Sequence, residues 1–283
     1  MGETAARADT GHMTSDLAHN PVAWLVVFVL TMTGIEAMAR RRRQLPGDPV
    51  DTATSLTLGV AYLAVKIIGG RLLFLGVAFW VYDHLRLFTI PTDNVAAWVG
   101  AFLIGDLVYY WVHRAEHRYR VLWSSHLVHH SSTEFSFTTA IRNPWTEILY
   151  KPLTGLWAPL LGVHPIVAAM LGTVGLMIGL LQHTSLVTTL GPIDRIFMTP
   201  RNHRIHHASN PEYLDRNFGG TLLVWDRIFG TFVDQSAVPV FGITKPLPRR
   251  DPWTVGLGGY PELLGEIHRA RGRDRAALLL ARP

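Results

Sequence analysis

An all-α membrane protein is the fold class this sequence predicts, with about three to four transmembrane helices or hairpins and a cytoplasmic, histidine-rich helical cap. Three observations predict it. Of the 283 residues, 48% are apolar and only 17% charged; long apolar runs recur along the chain; and histidines gather where those runs end.

Residues 1–20 are polar and small, with no basic stretch leading into an apolar run, so they read as a disordered tail and not as a cleaved signal. Residues 21–39 are almost wholly apolar, close to the roughly 20 residues a helix needs to cross about 30 Å of hydrocarbon. Arg40, Arg41, Arg42 and Arg43 follow, and the positive-inside rule places them in the cytoplasm. A second apolar stretch, 56–82, is interrupted by Lys66 and Arg71 around Gly69 and Gly70, which predicts a broken or tilted helix with snorkelling basic tips. After a turn containing Pro91, Thr92, Asp93 and Asn94, residues 95–112 make a third crossing, ending at His113 and the Arg114, Arg118, Arg120 cluster. Residues 21–112 are therefore the transmembrane part.

Residues 113–240 form the histidine-rich region, which includes a membrane hairpin or re-entrant element at 153–182 because Pro159, Gly162 and Pro165 break that run. Beyond Gly191 the chain turns polar and rich in Pro, Gly and Asn, as suits irregular cytoplasmic loops. Residues 241–283 read as a C-terminal cytoplasmic tail, within which 260–280 is a basic, partly apolar helix able to lie on anionic headgroups.

The net charge is +5, with arginines bunched at 40–43, 114–120 and 249–275. The first two clusters flank apolar runs, so they fit membrane topology and no nucleic-acid partner is expected. Cysteine is absent, which excludes disulfides, iron–sulfur clusters, thiolate haem ligation and cysteine nucleophiles. Any metal must be held by nitrogen and oxygen.

Five of the 14 histidines fall within positions 113–130 and three within 203–207. His113 and His117 stand at i, i+4 on one helical face, close enough to share a metal. Tyr110 and Asp106 lie further back along that face. His126, His129 and His130 repeat an H-x-x-H-H pattern that His203, His206 and His207 repeat again. With His183 the inventory is nine imidazoles, where one tetrahedral zinc uses about four. Nitrogen-rich sites suit zinc, copper, iron or nickel, and spacing does not choose among them. His12, His19, His84, His164 and His268 lie in tails and turns and read as solvated or structural. Two other functions compete: a membrane zinc metallopeptidase in which His113 to His117 is an H-x-x-E-H box with Glu116 as base, and a non-enzymatic metal transporter. The peptidase leaves six histidines without a role, and the transporter places its ligands near mid-span, whereas here every box lies at or beyond a helix end.

Six strings in order, DLVYYWVHRAEH (106–117), LWSSHLVHHSS (122–132), TAIRNP (139–144), LQHTSL (181–186), TPRNHRIHH (199–207) and NFGGTLLVWDRIFGTF (217–232), resemble the sterol desaturase and fatty acid hydroxylase superfamily of integral-membrane diiron oxygenases. The strings around His183, His203 and Trp225 are most similar to the alkylglycerol monooxygenase and bacterial branch. The resemblance implies two non-haem iron ions and O2-dependent hydroxylation or desaturation of a lipid, with electrons from a separate donor, a protein or small-molecule reductant. It implies as ligands His113, His117, His126, His129, His130, His183, His203, His206 and His207. Asp106 and Asp226 are candidates to accept imidazole N–H groups and so fix tautomers, and for Asp226, beside Arg227, a helix-cap or arginine-pairing role is the equal alternative. One departure concerns His183: some members carry a second histidine close by, where this chain has Thr184, Ser185, Leu186 and Val187. The expected location is the bacterial inner membrane, with the site on the cytoplasmic side.

Overall fold

The computed structural model describes residues 21–66 and 75–283. The expected disordered tail and Gly69, Gly70 and Arg71 lie outside the described residues. The chain divides into two compact units, Met1–Pro46 and Gly47–Pro283.

The first unit carries helix α1, Pro21–Arg42, whose last turn holds Arg40, Arg41 and Arg42. Cationic side chains there complement the helix dipole. Gln44 takes a left-handed φ of 51°, the Leu45 N–H donates to the Arg40 carbonyl (3.1 Å) and the Gln44 N–H to that of Arg41 (3.1 Å), so the helix stops in a Schellman turn.

In the second unit, α2 (Pro49–Val65) starts where the Asp48 carboxylate accepts from the Val50 and Asp51 N–H groups and Pro49 presets the first turn. Helix α3 is Gly76–Leu85. Of the broken or tilted crossing expected over 56–82, only the two ends, α2 up to Val65 and α3 from Gly76, are helices among the described residues; 67–74 lie outside them. Helix α4, Val95–Arg118, is capped by the Asn94 side chain on the Ala96 and Ala97 N–H groups. Tyr119 alone, in extended conformation, separates α4 from α5, Arg120–His130. Short helices α6 (Phe137–Ala140), α7 (Lys151–Thr154) and α8 (Trp157–Leu161) lead to α9, Pro165–Gln182. The expected hairpin at 153–182 is instead short turns followed by one long helix, because all the breakers, Pro159, Gly162 and Pro165, fall before or at the start of α9. Then come α10 (Pro200–His206), α11 (Val224–Ile228), α12 (Pro252–Leu257), α13 (Tyr260–Arg269) and α14 (Asp274–Leu280). The described residues contain no strands, only isolated antiparallel bridges such as Phe197 with Leu222.

Among the described residues, three helices are long and apolar enough to cross a membrane: Ala23–Arg42, Val95–Arg118 and Pro165–Gln182. On the last two, large apolar side chains such as Val99, Leu103, Met170 and Val174 face outward, as a lipid environment permits. Ala101 of α4, Ala158 of α8, Val163 in the turn before α9 and Val167 in the first turn of α9 pack into one cluster, small side chains allowing the backbones to approach. Gly162 makes that junction: its φ is +88° and an added Cβ would lie 2.0 Å from the Phe88 carbonyl oxygen. We expect Gly162→Ala to destabilise the protein by about 2 kcal/mol or more, read as a lowered Tm in detergent, because a left-handed φ and a backbone clash coincide.

The C-terminal segment is not a free tail. Val255 of α12 packs with Leu58 of α2 and Val128 of α5. The Gly259 N–H donates to the Ser124 carbonyl (2.8 Å), and Arg120 pairs with Glu266. The single helix expected over 260–280 is two, broken at 270–273. These contacts hold α5, and with it three histidines, in place.

Candidate metal centre

All nine histidines singled out from the sequence lie in two adjoining groups. His113, His117, His126, His130 and His206 each offer a ring nitrogen to a first pocket, and His129, His183, His203 and His207 to a second, with the nitrogens of each group within 4.8 Å of one another. His84, His164 and His268 belong to neither. Eight of the nine are buried and His129 is half-buried. The pockets touch: the His130 and His207 rings stack at 4.3 Å and the His203 and His206 rings at 5.3 Å.

The elements deliver these rings in a crossed pattern. In α4, α5 and α10 the i, i+4 pairs, His113 with His117, His126 with His130, and His203 with His207, each serve one pocket. The i+3 members cross over: His129 leaves its helix neighbours for the second pocket and His206 leaves its own for the first. On a helix, i+4 lies about 40° from i and i+3 about 60° to the other side, so the split is built into the H-x-x-H-H spacing.

The tautomers follow from the outer partners. The Nδ1 atoms of His113, His206 and His183 face the carbonyls of Phe218 (2.9 Å), Arg216 (2.9 Å) and Gly179 (2.6 Å). A carbonyl only accepts, so each Nδ1 carries the proton and each Nε2 is a bare lone pair. Those lone pairs point at other ring nitrogens: His113 Nε2 is 3.1 Å from His126 Nε2, and His183, His203 and His207 form a triangle of Nε2 atoms at 3.0, 3.0 and 3.1 Å. His206 Nε2 is buried with no hydrogen-bond partner. Protonation does not relieve this. Burial, reinforced by neighbouring imidazoles, holds His126, His129, His130, His203 and His207 well below the ordinary histidine value, and burial brings His183 and His206 to about 4. Converging neutral lone pairs call for a cation. Two metal–nitrogen bonds of about 2.0–2.1 Å at right angles span about 2.9 Å, close to the spacing seen. The donor set therefore fits two metal ions, one per pocket.

Asp106 and Asp226 do not accept from imidazole, contrary to expectation. Asp226 accepts from the Phe218 N–H (2.7 Å), the Gly219 N–H (2.8 Å) and the Thr231 hydroxyl (2.7 Å). Asp106 accepts from the Thr221 N–H (2.7 Å), the Leu222 N–H (3.1 Å) and the Trp225 indole (2.9 Å). Tyr110 bonds the Thr231 hydroxyl (2.9 Å). Both carboxylates anchor the 216–222 loop, whose Arg216 and Phe218 carbonyls then hold His206 and His113. Asn217, at a left-handed φ of 54°, turns the loop inward, and the Asn-Phe-Gly-Gly string was the available signal for it. Asp226→Ala leaves two buried N–H groups without an acceptor, so we expect a loss of about 3 kcal/mol in a denaturation midpoint assay, where Asp226→Asn loses less.

Glu116 is where the peptidase alternative would need an open base. Its carboxylate is buried; Oε1 takes the Lys151 ammonium (2.7 Å) and the Tyr150 hydroxyl (2.7 Å), while Oε2 lies 3.5 Å from His126 Nδ1. Burial opposes the charge on Lys151, but Glu116 and Glu147 hold its pKa well above the usual range.

The fold and these paired nitrogen pockets define a class, the membrane histidine-box proteins. Residues 98–231 match the fatty acid hydroxylase family model, and the chain belongs to the sterol desaturase and fatty acid hydroxylase superfamily. With its apolar helices, it is an integral membrane protein. It is 36% identical to alkylglycerol monooxygenase of Danio rerio over 75% of this chain and 47% of that protein. It is 34% identical to the Homo sapiens alkylglycerol monooxygenase over 74% of this chain and 47% of the relative. With an ornithine lipid hydroxylase of Rhizobium tropici it shares 35% identity over 47% of this chain and 41% of the relative. The chain spans about half the length of the curated alkylglycerol monooxygenases of fish, frog and human that it matches. No solved structure gives a significant match.

Proposed function

We propose that this chain is a membrane-bound non-haem diiron oxygenase that hydroxylates or desaturates a lipid with O2 and electrons from a separate donor. The observation that carries the reading is the pair of contiguous, neutral, all-imidazole pockets beside apolar helices, in a superfamily whose named members include lipid monooxygenases and hydroxylases. His113, His117, His126, His130 and His206 hold one ion and His129, His183, His203 and His207 the other. Bound iron supplies the redox chemistry that makes O2 reactive toward an unactivated C–H bond.

The chain's own residues aim and shield that chemistry. Phe218 lies against His113, His117 and His206, and Phe135 against His183, His203 and His207, so aromatic rings exclude water from both pockets. The Phe218, Arg216 and Gly179 carbonyls lock three rings with Nε2 inward. The outward apolar faces of α4 and α9 present the lipid side. The positive-inside pattern supports a cytoplasmic face for the site, and the proposed membrane is a bacterial inner membrane. Similarity to alkylglycerol monooxygenases over about three quarters of the chain makes an ether-linked or related glycerolipid the leading substrate class.

The test is metal analysis of purified protein together with lipid profiling of cells with and without the gene. We expect about two irons per chain and one lipid that gains an oxygen or loses two hydrogens only when O2 is present. An unchanged lipid profile, or turnover that persists anaerobically, rejects the proposal.

A further inference from the structure

We propose that Glu116 is a positioning residue that acts through His126, holding its outer nitrogen so that the first pocket binds its cation more tightly than the second. This rests on the reading that the two pockets hold metal ions. His126 turns Nε2 inward, 3.1 Å from both His113 Nε2 and His130 Nε2, so its proton belongs on Nδ1. That Nδ1 is buried, has no hydrogen-bond partner at its present spacing, and faces Glu116 Oε2 at 3.5 Å. A carboxylate is the stronger acceptor for such a group, because a hydrogen bond to an ionised partner is about twice as strong as a neutral one.

The surroundings leave that oxygen one role. Lys151 and Tyr150 occupy Oε1, and Lys151 Nζ lies a further 3.8 Å from the buried Glu147, whose other oxygen accepts from the Tyr62 hydroxyl (3.2 Å). Glu116, His126 and Glu147 together resemble a third cation cluster, but the Lys151 ammonium already stands between the two carboxylates. The lysine and tyrosine fix the carboxylate and direct Oε2 at His126.

No other imidazole of the centre has a buried carboxylate behind it among the described residues. His113 and His206 face backbone carbonyls in the first pocket and His183 does so in the second, while His117 has Asp215 at 3.7 Å, a side chain 63% exposed and screened by solvent. Negative charge behind a ligating imidazole makes it a better donor. The first pocket therefore has both the larger donor set and the more basic donor.

The experiment is a Co(II) titration of the full-length protein in detergent, following the visible d–d absorbance and bound cobalt for wild type, Glu116→Gln and the double variant Glu116→Leu/Lys151→Met. His206→Ala and His203→Ala serve to assign each binding step to its pocket. We expect two cobalt ions in wild type, first-pocket affinity about 10-fold weaker in Glu116→Gln and about 100-fold weaker in the double variant, a shifted first-pocket spectrum, and an unchanged second step. The double variant removes both charges, so it tests the point even where Glu116→Gln does not fold. Wild-type affinity in the double variant, meaning that Glu116 only neutralises Lys151, overturns the inference. A wild-type protein that binds no cobalt in either pocket overturns the metal-centre reading itself.

Discussion

His129→Ala is expected to weaken binding in the second pocket by more than about 100-fold while leaving the first pocket filled, even though His126 and His130, its neighbours on α5, serve the first. His206→Ala is expected to do the reverse. The reason is the crossing of the i+3 residues: His129 stands with His183, His203 and His207, and His206 with His113, His117, His126 and His130. Removing one of four or five direct donors costs more than removing an outer hydrogen-bond partner, which already costs about 10–100-fold. Lipid oxidation falls with either loss, because on the proposed mechanism both ions act together. His164→Ala is the control. His164 caps the Ile166 N–H (3.3 Å) and sits between Phe79 and Tyr82, in neither pocket, so activity stays within about twofold of wild type by the rule for substitutions away from a site. Metal counted per pocket, alongside product formed, checks all three, and loss from the same pocket in both variants would contradict the crossed arrangement.

Metal-free protein is expected to lose stability steeply as pH falls from about 7 to about 4. His183 and His206 ionise near 4 when folded, against an ordinary value near 6.5, because burial penalises the charged ring. Between those values the unfolded chain takes up protons that the folded chain refuses, so the folded state is disfavoured as pH drops. Each of these two groups corresponds to about 3 kcal/mol, and His126, His129, His130, His203 and His207 act in the same direction. Above about pH 7 all are neutral in both states and the dependence flattens. Bound metal steepens acid sensitivity in activity, since protons and cations compete for the same lone pairs. Chelator-treated protein followed by circular dichroism across this range provides the measurement. A flat profile would mean that the rings are hydrated and not enclosed.

Much of this protein is written in local pattern. Apolar runs of spanning length need only counting, and the crossings at 21–39 and 95–112 correspond to α1 and α4, each extended by a polar or basic end. The nine histidines were readable because their clustering exceeds the chain's average density and their i, i+3, i+4 spacing is a property of one helix. Local pattern misled at 153–182, where the breakers shape the approach to a helix and not its middle.

What the sequence by itself determined was the inventory: all-helical, membrane-embedded, nine imidazoles and no thiol. Only the tertiary structure decided the sorting of those imidazoles into five and four, the turning of Asp106 and Asp226 toward a loop instead of a ring, and the burial of Glu116 between Lys151 and His126. The physical reason is range. Helical periodicity settles which side chains leave a helix together, within a few residues, but the partner that meets them comes from segments up to about a hundred positions away, as Phe218 meets His113, and its place is set by packing and backbone hydrogen bonds that no single window of residues contains.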